Sequence, residues 1–210
     1  RIVETRELDG VKKNAYFVDT TEPCKFITND QPFDPYLFGC WLGGAPIDTD
    51  GKKMTALYGG WNKKYIPDIY KYASTIEQKL LLAGLIDTVG RVDGHGVITV
   101  KVSPERAAND LSDILTVMGI DHSKVIPTPF GRKTHYKISF SLPYNIPTFR
   151  FRRFQTAPRK RIGIVKVEKV ENAGQGNCIM VDSPDGLYLV GKSLIPTHNS
   201  FLNAFIAIAN

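Results

Sequence analysis

Leu82-Ala-Gly-Leu-Ile-Asp-Thr-Val-Gly90 decides how the middle of this chain is read. It is apolar all round, carries an internal glycine, and continues the helical pattern of residues 75–81. A helix without a polar face is buried, and an internal glycine admits another backbone at close range. Leu37-Phe-Gly-Cys-Trp-Leu-Gly-Gly-Ala45 has the same character, with Asp34 placed as its cap and Pro35 in its first turn. Each of the two stretches is expected to be a helix buried against another helix at close range. Outward from Gly90, residues 96–102 alternate as a strand, residues 104–118 carry a helical apolar stripe, and residues 136–140 alternate again. Asp48, Asp50 and Asp93 are expected in turns.

With 210 residues and a net charge of +6, the chain can hold one or two domains with a core. No apolar run is long enough to cross a bilayer, and the N-terminus is no signal peptide. Cys24, Cys40 and Cys178 are three cysteines at unrelated spacings. They suggest neither a disulfide framework nor a zinc site, and they fit a reducing cytosol, so a cytoplasmic location is expected. The charge permits nucleic-acid binding without demanding it. The chain begins at Arg1 and not at Met, as expected of a piece of a longer protein.

Toward the C-terminus the character changes. Residues 161–170 alternate, 172–177 are a turn cluster, and runs at 178–181, 187–190 and 194–197 read as short strands between tight turns. Tyr16-Phe-Val18 and Lys25-Phe-Ile27 read as strands as well. This is the pattern of an all-β module. It closes on Ile195-Pro-Thr-His-Asn-Ser200. The side-chain amide of Asn199 is placed to attack its own backbone carbonyl, closing a succinimide and cutting the Asn199–Ser200 bond, a reaction that proximity favours. His198 is placed to donate a proton to the leaving amine, and the Ser200 hydroxyl is suited to accept an acyl group. The plainer reading of the same residues makes Asn199 a helix cap before residues 201–209.

Taken with Cys178-Ile-Met-Val-Asp-Ser-Pro-Asp-Gly-Leu-Tyr-Leu-Val-Gly191, this ending resembles the two C-terminal splicing blocks of inteins. Residues 82–90 resemble the LAGLIDADG motif of homing endonucleases, with 37–45 as its degraded partner. The resemblance implies an α+β protein: an all-β, horseshoe-shaped Hint splicing module with an inserted mixed α/β endonuclease-like domain. It implies an N-terminal remnant over 1–32, the insert over 33–147, the C-terminal splicing region over 148–199 and the start of the C-terminal extein over 200–210. The implied function is protein splicing, with Asn199 cyclising, His198 assisting and Ser200 as extein nucleophile. Cys178 together with Thr197 matches a minority class in which the cysteine carries the branched thioester. Ordinary inteins also place Cys there, and a small buried apolar residue explains it equally well. Gly186 stands where many inteins have a histidine, and the early splicing blocks are missing. The implied partners are an N-terminal intein portion and the exteins, with no cofactor for splicing. The metal-binding acids of the endonuclease family fall on Gly44 and Val89, so Mg²⁺-dependent DNA cleavage is expected to be lost, and Mg²⁺ enters only if cleavage survives.

Two other readings compete. Arg150, Arg152, Arg153, Arg159, Lys160 and Arg161 are interleaved with Phe149, Phe151 and Phe154, a pattern able to follow a phosphate backbone. It makes double-stranded DNA a candidate partner, and a DNA-binding protein or homing endonuclease the alternative function. The plainer reading is a solvated linker strand. Separately, inteins often interrupt phosphate-binding loops, G-x-x-x-x-G-K-[ST], between the Lys and the Ser or Thr, and Ser200 opens an apolar helix of the kind that would continue such a loop. By that reading the chain is a fragment of a P-loop ATPase. Phage terminase large subunits and replicative helicases are similar hosts, and the terminase is the better fit.

Overall fold

The computed structural model describes residues 15–28, 30–60, 62–131, 133–150, 156–158, 161–167, 179–192 and 194–198. In chain order the elements are β1 (Phe17–Asp19), α1 (Pro35–Gly43), α2 (Thr49–Tyr58), α3 (Asp68–Lys71), α4 (Thr75–Val89), β2 (Arg91–Val92), β3 (Ile98–Val102), α5 (Glu105–Val117), β4 (Ile126–Phe130), β5 (Lys133–Phe140), β6 (Arg161–Gly163), β7 (Leu187–Val190) and β8 (Ile195–His198). The fold class is mixed α+β. The sheets among the described residues are open and antiparallel. Two units divide the chain, one of residues 22–159 and one of residues 1–21 with 160–210. No helix among the described residues is long and apolar enough to cross a membrane.

The larger unit is built on the crossing of α1 and α4. The Asp34 carboxylate accepts from the Leu37 amide at the start of α1. Ser74 and Glu77 form a reciprocal capping box at the start of α4. Where the helices cross, each presents a glycine to the other's backbone. A Cβ on Gly39 would lie 2.0 Å from the Leu81 carbonyl oxygen, and one on Gly84 would lie 2.0 Å from that of Tyr36. Phe38, Leu42, Leu81, Leu82, Leu85 and Ile86 are buried around the contact, and Phe38 stacks on Tyr70 with ring centroids 4.2 Å apart.

A four-stranded sheet, ordered β2-β3-β5-β4, covers this pair. Ile98, Val100 and Val102 of β3 and Ile138 and Phe140 of β5 point inward. They meet Ala107, Leu111, Ile114 and Leu115 on the apolar stripe of α5. The chain between α1 and α4 forms helices α2 and α3. Asp50 lies within α2 and not in a turn, because Gly51 and Met54 are buried three apart on one helical face. Strand β4 was not expected, since Pro127 and Pro129 interrupt it. It lies at the sheet edge, where a missing N–H costs no ladder bond. Residues 25–27 form no strand.

In the smaller unit β1 pairs with β6 and β7 with β8. The alternation of 161–170 yields a strand only as far as Gly163, and 179–181 form none.

Lys64 is 5% exposed. Its ammonium donates to the Trp41 carbonyl near the end of α1 and stands 4.4 Å from the Trp41 ring centroid. Burial pushes it down to about 8. Its folded value lies below the unfolded one, so the native state holds fewer protons above pH 8 and stability rises with pH there. Between about pH 8 and 10 the unfolding free energy should climb, and Lys64→Met should flatten that climb in denaturant titrations. Gly84→Ala should cost about 1–3 kcal/mol, because the obstacle is backbone and has no rotamer to move. Gly94→Ala, with nothing within 4 Å of its Cβ, should leave the unfolding midpoint unchanged.

Candidate nucleic-acid interface

The inward half of the β3 and β5 alternation is core, so the outward half is a surface of defined register. On β3 it is Thr99 and Lys101; on β5 it is Lys133, His135, Lys137 and Ser139. Arg91 of β2 stands opposite Thr99, and Thr128 of β4 opposite His135. Thr99 and Ser139 hydroxyls meet at 2.9 Å. Next to them Lys101 stands directly opposite Lys137. Like charges facing each other across a strand pair destabilise it. Neither lysine has an ion-pair partner among the described residues.

An open cavity of about 380 Å³ lies against this face. Thr88, Val89 and Gly90 at the end of α4 form one wall, Arg91, Thr99, Lys101, Thr128 and His135 of the sheet another, and Arg150 closes it. Among the described residues the lining holds three fixed cations and a histidine and no carboxylate. The carbonyl end of α4 contributes partial negative charge, roughly half an elementary charge. That favours cations beside it and does not offset three of them. Such a lining attracts an anion and repels a divalent metal. Val89 is on the wall, where the LAGLIDADG resemblance puts a metal-binding acid. The other such position, Gly44, is the left-handed cap of α1 at φ 92°. No group of three or more histidine, cysteine, aspartate or glutamate side chains suited to a metal occurs among the described residues.

Asp87 sits one residue short of the cavity wall. Its Oδ2 accepts from the Tyr36 hydroxyl at 3.0 Å and the Phe149 amide at 2.7 Å, and its Oδ1 accepts from the Arg150 amide at 2.8 Å. The Tyr36 ring meets the Phe149 ring edge-on at 5.2 Å. Burial, then the hydrogen bond to Asp87, pushes the Tyr36 phenol well above its usual range.

Of the basic segment singled out in the sequence, Arg150 reaches the cavity. Arg161 is in the other unit, on β6, paired at 2.8 Å with the facing Asp19. Arg152, Arg153, Arg159 and Lys160 lie outside the described residues. Arg91, Lys101, His135 and Lys137 were not foreseen. Their signal was present as the polar half of the alternation that identified the strands.

Thr197 and His198 are on β8, opposite Tyr188 and Leu187. The imidazole lies so close to Gly186 that a Cβ there would be 3.0 Å from Nε2. The Ser183 hydroxyl, the Leu187 amide and His198 together hold the Asp185 carboxyl below its usual range. Asn199, Ser200 and Cys178 lie outside the described residues. One further pattern, Gly186-Leu-Tyr-Leu-Val-Gly191-Lys192-Ser193, spells a phosphate-binding loop and was passed over in the sequence. Its fold is wrong for that role. The four residues between the glycines are strand β7, paired with strand β8 that follows it, and the glycines serve left-handed turns at φ 65° and 68°.

No family model matches the chain. It is 30% identical over 204 residues to the replicative DNA helicase DnaB of Mycobacterium intracellulare, an alignment covering 80% of this chain and 35% of that protein. The chain thus spans about a third of the length of this relative.

This likeness corrects the expectations drawn from residues 37–45, 82–90 and 178–200. An intein with a degenerate LAGLIDADG endonuclease is replaced as the resemblance by a DNA helicase, and with it go protein splicing as the function and a phage terminase as the source. Some of the letters that suggested them have packing reasons, while Cys178, Asn199 and Ser200 lie outside the described residues. Glycines at 39 and 84 let two helix backbones touch, and 187–198 are a hairpin with glycine turns.

The facing lysines give a testable consequence. Lys101→Glu converts a like-charge pair into an opposite one, and should stabilise the free protein by about 0.2–1 kcal/mol at low salt, measured by denaturant unfolding.

Proposed function

We propose that this chain is part of a protein of the replicative-helicase kind, and that the outward face of its four-stranded sheet contacts the DNA phosphate backbone. The observation that carries the reading is the carboxylate-free cavity whose cations, Arg91, Lys101 and Arg150, come from three separate places on one face. The likeness to a replicative DNA helicase supplies DNA as the polymer. A phosphate between Lys101 and Lys137 would turn their mutual repulsion into two favourable contacts. Unwinding and ATP hydrolysis belong to a longer protein than this stretch covers. Ser200 is preceded by His198-Asn199 and not by the Gly-Lys that a phosphate loop requires, and the hairpin of β7 and β8 supplies no such loop, so a nucleotide-binding portion of the longer protein is proposed on the helicase likeness alone. Nucleotide binding by the full-length protein, lost when its own phosphate-loop lysine is replaced, would support that second element.

Fluorescence anisotropy with duplex and single-stranded oligonucleotides across a salt series tests the first. Lys101→Ala and Lys137→Ala should each weaken binding uniformly across sequences and lower the salt slope by about 1. Lys101→Glu should weaken it further while the fold gains stability. Unchanged affinity and slope in the double variant would overturn the reading.

A further inference from the structure

We infer that Asp87 is a positioning residue that fixes Arg150 in the cationic cavity, an inference that rests on the DNA-contacting reading above. Asp87 is on α4, one residue before Thr88 at the cavity wall. Both of its oxygens are engaged: Oδ1 takes the Arg150 amide, and Oδ2 takes the Phe149 amide and the Tyr36 hydroxyl. Two consecutive backbone amides, 62 and 63 residues along the chain, thus hang on one side chain of the crossed helix pair. A carboxylate that accepts backbone amides makes charge-assisted bonds, stronger than neutral ones. The Phe149 ring against Tyr36 holds the same segment from the side, although Phe149 itself is 79% exposed. The latch sets where the Arg150 backbone leaves the helix end, and so which surface its side chain covers.

The consequence has a sign that simple charge arithmetic does not give. Removing an acid beside a polyanion-binding face should tighten binding if Asp87 acts only through its field. If Asp87 positions Arg150, the same change weakens binding. In Asp87→Asn one acceptor oxygen becomes an NH₂ that opposes an amide donor, so the latch loses at least one bond. Asp87→Glu keeps the charge but moves the carboxylate along by one methylene.

Duplex affinity is measured for Asp87→Asn, Asp87→Glu, Arg150→Ala and the Asp87→Asn/Arg150→Ala double variant, with Lys101→Ala as reference and Gly94→Ala as control. Both Asp87 variants should weaken binding by the factor seen for Arg150→Ala, with a salt slope lower by about 0.9. The double variant should bind no more weakly than Arg150→Ala alone, and Gly94→Ala should bind as the parent does. Tighter binding by Asp87→Asn, or full additivity in the double variant, would overturn the inference. If Lys101→Ala also leaves binding unchanged, it is the DNA-contacting reading that fails. Should the Asp87 variants not fold, amide exchange in the parent protein decides: the Phe149 and Arg150 amides are expected to be protected, and unprotected exchange at both would overturn the latch.

Discussion

Two helix backbones touch in this protein, and most of the larger unit follows from that contact. Gly39 rests on the Leu81 carbonyl and Gly84 on that of Tyr36, so no side chain separates α1 from α4 at their crossing. The helices are consequently apolar around their circumference, with Phe38, Leu42, Leu82 and Leu85 filling the spaces beside the crossing. Such a pair must be covered, and the sheet with α5 provides the cover. The crossing also places the C-terminal end of α4 beside the outward face of the sheet, where Thr88, Val89 and Gly90 become a cavity wall. The position of the candidate site is thus a consequence of helix packing.

The chemistry of that site is set by what is missing as much as by what is present. Its lining offers Arg91, Lys101, His135 and Arg150 and no carboxylate. The nearest acid on α4, Asp87, is committed to Tyr36 and to the backbone of residues 149 and 150. Lys101 and Lys137 face each other at a small cost to the free protein. A phosphate backbone, the proposed partner, would relieve that cost directly. The likeness to a replicative DNA helicase over four-fifths of the chain agrees with a polyanion of that kind.

Much of the larger unit was legible in the sequence. Helix α4 and its glycine contact were readable from Leu82–Gly90, because an all-apolar helix with an internal glycine has few other fates. Strands β3 and β5 and helix α5 were readable from period alone. Strand β4 was hidden by Pro127 and Pro129, which are tolerated only because the strand is at an edge, and edge position is a tertiary fact. The cationic face was hidden for a similar reason. Lys101 and Lys137 look like ordinary solvated lysines until the register puts them opposite each other. The contiguous basic run 150–161 drew attention instead, yet Arg150 reaches the cavity while Arg161 pairs with Asp19 on another sheet. The endonuclease resemblance rested partly on glycines that helix contact also requires, and the helicase likeness corrected both it and the splicing resemblance.

The central claim is that the outward face of β3 and β5 is where DNA is met. The most direct measurement is a titration of the isotopically labelled protein with a short duplex, followed residue by residue by NMR. The account predicts that amide signals of Arg91, Thr99, Lys101, His135, Lys137 and Arg150 move together and saturably, and move back when salt is raised. Perturbations confined to the hairpin of β7 and β8, or none on β3 and β5 at saturating duplex, would contradict it.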